Sequence, residues 1–161
     1  MKCPTCRQQM ETQRENHRYA ECGLDNVFLD GIEIHSCPCG ERIVSIPKLA
    51  QLHELIAFAV ATQAARLTGP EVRFLRKYLG WSGVQFAEVM GVDPTTVSRW
   101  ETGTAPMGTG VERALRLAVV RLRPLEDYPT ENLATISKDE APRETIRIAS
   151  TSRGWNELHA A

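Results

Sequence analysis

The chain has 161 residues, the length of one ordinary domain or two small ones. A hydrophobic fraction of 42% supports a packed core, and no apolar run in the sequence is long enough to span a membrane. The first residues, MKCPTC, lack the charged and then apolar pattern of a signal peptide. We therefore expect a cytoplasmic protein without membrane association.

The net charge of −1 hides an uneven distribution along the chain. Residues 1–67 carry 7 basic and 8 acidic side chains, residues 68–123 carry 8 and 5, and residues 124–161 carry 4 and 7. The middle segment therefore has a net charge of +3 (8 minus 5). A local positive excess attracts the phosphates of nucleic acid, so a nucleic-acid site is expected there.

All five cysteines lie in the first quarter of the chain. In a cytosolic protein such clustering favours a metal site over disulfides. One pair has the CxxC spacing of a zinc knuckle, whereas the second pair has one intervening residue where two are usual. Cys22 and His35 are alternatives to the second pair. The preferred ligands of a structural Zn²⁺ are Cys3, Cys6, Cys37 and Cys39. Because the sequence specifies no open coordination position and no general base, we predict no enzymatic activity.

Residues 1–46 are expected to be rich in β-structure. Alternating apolar residues on both sides of Asp30-Gly31 predict a β-hairpin, and a third strand is expected at Arg42–Ile46. An amphipathic helix over Lys48–Leu67 follows, since Leu49, Leu52, Ile56 and Val60 recur at spacings of three and four. Thr68-Gly69-Pro70 ends this helix and starts the next one.

The segment Trp81–Gly103 predicts two short helices around a tight turn. Ser82 is an expected N-cap of the first, and Asp93 of the second. Gly91 supplies the positive φ of the turn, and Val97 with Trp100 points inward. This arrangement presents the second helix to the major groove of DNA.

The outward face of that second helix carries the predicted DNA contacts. Thr95 and Arg99 are four residues apart and share one helix face. Arginine can hold guanine in a bidentate fashion, and threonine offers a hydroxyl and a methyl group. Further residues are expected to contact phosphate or add to base readout, namely Ser82, Gln85, Thr96 and Ser98.

These residues resemble a known family. From Glu71 to about Arg121, and above all in FAEVMGVDPTTVSRWETG, the chain is similar to the helix-turn-helix of the Cro/phage-repressor (Xre) family. The resemblance implies five helices and dimeric binding to inverted repeats. It also implies that Arg76 pairs with Glu101 as part of the scaffold. Where this family usually has a glutamine that touches phosphate, this chain has Gly83.

The order of the parts carries a second resemblance. A cysteine module with a β-hairpin, then a helical connector, then an Xre-type domain is similar to the MqsA antitoxin / YgiT-type zinc-finger family. That resemblance implies zinc at the four preferred cysteines and base reading by Thr95 and Arg99. It further implies an N-terminal module that binds a ribonuclease toxin. The departures are the CxC spacing, the segment Tyr19–Phe28 and the residues after Arg123.

The fold class predicted from these observations is α+β. It comprises a β-rich zinc module at residues 1–46, a connector helix at 47–67, a five-helix Xre-type domain at 68–123, and a linker with an irregular tail at 124–161. Within that tail Thr145–Ala149 alternates weakly and could be a strand, with Gly154-Trp155 as the start of a partner.

The function predicted is a homodimeric, sequence-specific transcriptional repressor that binds double-stranded DNA at a palindromic operator. Two alternatives stay open at this point. The chain could be an antitoxin that neutralises a ribonuclease toxin and represses its own operon, or a thiol redox sensor from which oxidation ejects zinc.

Overall fold

The structure, a computed structural model, describes residues 1–123, 128–136 and 141–158. The fold is mixed α+β, and the described residues divide into two compact units. The first unit takes its residues from Met1–Ala20, Asp25–Leu52 and Thr145–Ala161; the second takes them from Glu21–Leu24 and His53–Glu144. Among the described residues no helix is long and apolar enough to cross a membrane.

The first unit is built on a five-stranded sheet with its longest strand, β2 (Val27–Ser36), at the centre. Strand β1 (Glu11–Arg18) lies antiparallel along one side of β2. On the other side, β3 (Arg42–Ser45) pairs antiparallel with the end of β2, and β4 (Ile146–Thr151) pairs parallel with its beginning. Strand β5 (Gly154–Leu158) continues the sheet beyond β4. Segments from both ends of the chain therefore share one sheet.

The predicted hairpin at Asp30-Gly31 is wrong, because β2 runs straight through these residues. Gly31 has a φ of 69° and its N–H donates to Asn16 Oδ1 at 3.2 Å, where the register with β1 shifts by one residue. This is a β-bulge, and it keeps the flanking apolar residues on one buried face. A bulge and a tight turn both interrupt the alternation at a glycine, so the sequence pattern alone does not separate them. The apolar residues on this face, all at most 1% exposed, are Val27, Leu29, Ile32 and Ile34.

The description of residues 124–161 as a linker and irregular tail also needs correction. The weak alternation around residue 148 corresponds to β4, and β5 is its antiparallel partner. Trp155 is buried at 3% exposure, and its indole Nε1–H donates to the carbonyl oxygen of Pro47 at 2.7 Å. The Trp155 amide donates to Gln51 Oε1 at 3.3 Å. Of the predicted linker, residues 124–127 and 137–140 lie outside the described residues, and Thr130–Thr135 forms a 3₁₀ helix.

The connector helix α1 covers Leu49–Thr62, so it ends five residues before the predicted Leu67. At this end of α1 the fully buried guanidinium of Arg116 donates to main-chain carbonyl oxygens. Its Nη1 contacts Ala61 O at 3.1 Å and its Nη2 contacts Ala65 O at 2.5 Å. These contacts satisfy the carbonyls that a helix leaves free at its C-terminus. Nothing in the local sequence of α1 indicates this partner.

Residues 68–123 form four α-helices, where the resemblance implied five. Side chains cap the first three of them: Thr68 and Ser82 form capping boxes, and Asp93 accepts the Thr95 amide. The predicted caps at Ser82 and Asp93 are thereby confirmed. The helices are α2 (Gly69–Tyr78), α3 (Gly83–Met90), α4 (Pro94–Thr102) and α5 (Thr109–Val120).

Helix α2 begins directly against the end of α4, and this contact requires a glycine. A Cβ added at Gly69 would overlap the main-chain carbonyl of Glu101, which cannot move without displacing α4. At Gly110, in the first turn of α5, an added Cβ would meet nothing within 4 Å. Both glycines lie in the first turn of a helix, but a neighbouring backbone is in the way only at Gly69, which also precedes Pro70.

We predict that Gly69→Ala lowers the free energy of unfolding by about 1–3 kcal/mol through overpacking. The matched control Gly110→Ala should be neutral or slightly stabilising, because alanine favours a helix over glycine. Denaturant midpoints of the two variants and the wild type measure this. Equal effects of the two substitutions would contradict the close approach of α2 and α4.

Candidate nucleic-acid interface and metal centre

An aromatic core fixes the inner face of α4. Phe86 is fully buried; it stacks on Trp81 at 5.9 Å and meets Trp100 edge-on at 6.2 Å between ring centroids. Val97, one turn before Trp100, is 2% exposed. With these residues inside, the opposite face of α4 is exposed, and it carries Thr95, Ser98, Arg99 and Thr102.

A buried carboxylate ties α4 to α2. Glu101 accepts hydrogen bonds from Arg76 Nε at 2.5 Å and Arg76 Nη2 at 3.1 Å, and Arg73 Nε adds a third at 3.1 Å. Arg76 also donates to the carbonyl oxygen of Trp81 at 2.8 Å. The structure therefore has the Arg76–Glu101 pair that the resemblance implied. Neither residue is available to contact DNA.

The sequence analysis did not predict Arg73 as a second partner of Glu101. Arg73 lies three residues before Arg76 on α2, so both guanidinium groups can reach the same side of the helix. Burial acts to raise the pKa of Glu101, but the hydrogen bonds and charges of Arg76 and Arg73 outweigh it and lower the pKa. The carboxylate is consequently charged at neutral pH and both arginines are held in place.

Ser82 and Gln85 lie at the exposed start of α3 and bind each other. The Gln85 amide donates to Ser82 Oγ at 3.1 Å, and the Ser82 amide donates to Gln85 Oε1 at 2.8 Å. This reciprocal cap occupies the oxygen of the Gln85 side chain. Its Nε2 group is a donor and is the part of Gln85 suited to a phosphate oxygen.

Thr95 and Arg99 are both exposed on α4, as expected from their spacing. Thr95 Oγ1 donates to Asp93 Oδ1 at 2.6 Å, so its hydroxyl is already engaged by the helix cap. No carboxylate among the described residues forms an ion pair with Arg99. Ser98 is exposed beside them, whereas Thr96 is half-buried. The outward face of α4 thus offers one uncommitted guanidinium and a set of hydroxyl groups.

The first unit brings four thiols together. The Sγ atoms of Cys3, Cys6, Cys37 and Cys39 all lie within 4.8 Å of one another, and the closest pairs are Cys3–Cys39 at 3.6 Å and Cys6–Cys37 at 3.3 Å. Four sulfurs bound to a tetrahedral zinc at about 2.3 Å are separated by about 3.8 Å. The cluster could therefore hold a metal ion with little movement, and a set of four thiolates suits zinc.

Two tight turns supply the thiols. In the first, the Arg7 amide donates to Cys3 O at 2.9 Å, and Arg7 adopts a φ of 62°. In the second, which joins β2 to β3, the Gly40 amide donates to Cys37 O at 2.9 Å, and Gly40 has a φ of 95°. The left-handed residue after the second cysteine of each pair closes the turn. The short CxC spacing fits such a turn, so it does not keep Cys37 and Cys39 apart.

The thiols differ in burial and acidity. Cys3 and Cys37 are buried, whereas Cys6 and Cys39 are exposed. The Cys6 amide donates to the Cys3 sulfur and lowers the pKa of Cys3 to about 7, although burial opposes this. The Cys39 amide favours a Cys37 thiolate, but burial and the neighbouring thiols raise the pKa of Cys37 to about 12. Four adjacent thiols cannot all ionise alone, and a bound cation removes that obstacle.

The two alternative ligands lie outside this cluster. Cys22 is half-buried in the short 3₁₀ helix Ala20–Cys22 and belongs to the second unit. His35 lies on β2, where its Nδ1 is 2.8 Å from Thr12 Oγ1 on the neighbouring strand. Neither residue is among the four groups that the structure brings together.

Comparison with known proteins agrees with the fold of the second unit. Residues 72–119 match the family model described as helix-turn-helix, and this span runs from α2 to the end of α5. Together the match and the observed helices identify this segment as a helix-turn-helix domain, which supports a DNA-binding regulator of the Xre type. No curated protein and no solved structure matches the chain.

We predict that the purified protein binds about one zinc ion per chain and that Cys6→Ser weakens retention strongly. Cys22→Ser is the matched control and should retain the metal, because Cys22 lies outside the cluster. Elemental analysis after dialysis against a weak chelator measures this. Loss of metal in Cys22→Ser, or full retention in Cys6→Ser, would contradict the assignment.

We also predict that Glu101→Gln lowers the free energy of unfolding at pH 7 by about 1–3 kcal/mol, because charged hydrogen bonds to Arg76 and Arg73 are lost. The pKa of Glu101 is lowered in the fold, so its contribution is present above the ordinary value of 4.5 and is lost as the pH falls below it.

The variant should accordingly show a flatter loss of stability in acid than the wild type. Glu88→Gln, at an exposed position of α3, serves as the control and should follow the wild type. Denaturation curves between pH 7 and pH 3 provide the comparison. The same acid dependence in Glu101→Gln and wild type would disprove this role of the carboxylate.

Proposed function

We propose that the chain is a sequence-specific transcriptional repressor that inserts α4 into the major groove of DNA. The observation that carries this proposal is the division of α4 into two faces. Its inner face is held by Trp100 and Glu101, while its outer face exposes Arg99 together with the hydroxyl-bearing residues Thr95 and Ser98. Among the described residues no carboxylate forms an ion pair with Arg99, so its guanidinium is available to a base edge.

The proposed contacts fall into two groups. Thr95 and Arg99 lie on the face that would meet base edges. Ser82 and Gln85, at the start of α3, would bind phosphate, as the N-terminus of a helix favours anions. Thr96 and Ser98 would add to positioning. The +3 charge of residues 68–123 supports attraction to DNA without specifying a sequence.

The functional form proposed is a homodimer on a palindromic operator. Two copies related by a two-fold axis would place their α4 helices in successive major grooves, about 34–36 Å apart. This proposal rests on the resemblance to Xre-type regulators and on the small contact area that a single recognition helix offers. A regulator of this kind would act in the cytoplasm, where the DNA is.

In this proposal the metal ion is zinc and its role is structural. The four thiols join the first residues of the chain to the β2–β3 turn, and Cys3 and Cys37 pack with Met10 and Ile43 in a small apolar cluster. A small module gains stability from such a cross-link. We assign the zinc no part in a reaction.

A second candidate is an antitoxin whose first unit binds a ribonuclease toxin. The feature that favours it is the position of a four-cysteine sheet ahead of the helix-turn-helix domain, which is the order of parts in MqsA-type antitoxins. A neighbouring gene for a small basic nuclease that forms a stable complex with the purified chain would support this role. Absence of such a gene leaves the repressor as the proposal.

We predict that the purified full-length protein selects an inverted repeat from random duplex DNA, and that Arg99→Ala weakens binding to the selected duplex by about 1–3 kcal/mol. The substitution should also relax the preference at one base pair per half-site, because a base contact is lost.

Lys77→Ala is the matched control, since it removes an exposed cation from α2 and leaves the outer face of α4 intact. It should weaken selected and random duplexes equally and only slightly. Equal losses for Arg99→Ala on both kinds of DNA would make Arg99 a phosphate anchor. Selection of no sequence at all would refute the proposed function.

A further inference from the structure

We propose that Thr95 reads DNA as a hydrogen-bond acceptor and thereby selects an A·T pair, because Asp93 holds its hydroxyl proton. The inference rests on the proposed function and adds the chemistry of one position in the DNA site. Asp93 thus becomes a positioning residue that sets specificity without contacting a base.

The hydrogen bonds at the start of α4 determine the direction of the Thr95 hydroxyl. Asp93 Oδ1 accepts the Thr95 amide at 2.8 Å and the Thr95 hydroxyl at 2.6 Å. An ionised carboxylate can only accept, so the threonine must be the donor in the second bond. A hydroxyl has a single hydrogen, and the oxygen that remains turned to solvent offers only lone pairs.

The carboxylate is charged under all conditions in which DNA binding would occur. The Thr95 hydroxyl and amide hydrogen bonds lower the pKa of Asp93, and the charge of Arg99 adds to the effect. Asp93 is also the N-cap of α4, where the helix dipole favours a negative charge. Rotating the hydroxyl away from it would break a short, charge-assisted hydrogen bond.

An acceptor on α4 discriminates among the groups in the major groove. Guanine N7 and O6, thymine O4 and the phosphate oxygens are all acceptors and cannot pair with it. Adenine N6 and cytosine N4 are donors and can. The threonine methyl group then favours the A·T pair, because thymine presents a methyl group on the same major-groove edge, beyond its O4, whereas a C·G pair presents none. The geometry therefore points to A·T in preference to C·G.

Arg99, on the same face of α4, offers hydrogen-bond donors where Thr95 offers an acceptor. Its guanidinium has donors only, and guanine is the base that presents two acceptors to it. Four residues of helix advance by about 6 Å, close to two base-pair steps of about 3.4 Å. We therefore expect the half-site to contain an A·T pair and a guanine within about two base pairs of each other.

The test uses a duplex selected from random DNA by the full-length wild-type protein. The position that Thr95 reads is the one at which the Thr95→Val protein loses base preference. There, purine in place of adenine removes the N6 amino group, and 7-deazaadenine removes the N7 acceptor. For the wild type we expect about tenfold weaker binding with purine and no change with 7-deazaadenine. Thr95→Val should bind both analogues as it binds adenine.

Two substitutions of Asp93 separate the effect of its charge from the effect of its hydrogen bond to the Thr95 hydroxyl. Asp93→Asn keeps an oxygen that accepts from Thr95 but removes the charge, so it should strengthen binding to all duplexes equally and keep the A·T preference. Asp93→Gly, also a tolerated N-cap, releases the hydroxyl to donate. It should relax the A·T preference at this one position.

The outcomes distinguish this inference from the proposed function. If 7-deazaadenine weakens wild-type binding and purine does not, Thr95 is a donor and the inference is overturned while the repressor stands. The same holds if the selected pair at this position is G·C, or if Asp93→Gly keeps the full A·T preference. If no sequence is selected by the wild type, the proposed function itself fails.

Discussion

The orientation of α4 depends on one buried carboxylate. Glu101 is the single acidic residue of α4, and two arginines from α2 hold it at 2.5–3.1 Å. Because Glu101 and Trp100 anchor α4 from the inside, its other face is free of packing constraints. Gly69 lets α2 begin directly against the end of α4, which brings the arginines within reach. Removing either feature should disturb the orientation of α4 before it alters any contact with DNA.

The first unit is also held together by contacts between segments that are distant in the sequence, here thiols and paired strands. Four thiols on two short turns can share one cation, while β4 and β5 return from the far end of the chain to complete the sheet. Trp155 holds this return in place through Pro47 and Gln51, at the start of α1. Segments distant in sequence are thus joined by strand pairing and by a few specific side-chain contacts.

The features predicted correctly from the sequence are those that depend on residues close to one another in the chain. The caps at Ser82 and Asp93, and the inward side of α4, each follow from residues within one or two turns. Features that involve distant partners were missed: Arg116 donates to carbonyl oxygens at the end of α1, and β1 has a polar sequence with no alternation to reveal a strand. The predicted hairpin at Asp30-Gly31 was wrong for another reason, because a β-bulge and a hairpin turn both interrupt the apolar alternation at a glycine. Whether the Thr95 hydroxyl donates or accepts a hydrogen bond could likewise not be predicted from the sequence, because the answer depends on its observed distance to Asp93.

The claim that α4 enters the major groove is tested most directly by methylation interference on a DNA duplex that the full-length protein binds. Methyl groups on guanine N7 block the major groove, and methyl groups on adenine N3 block the minor groove. We predict interference at guanine N7 in two clusters about one helical turn apart, one for each α4 of a dimer. Interference confined to adenine N3, or none at either position, would contradict the account.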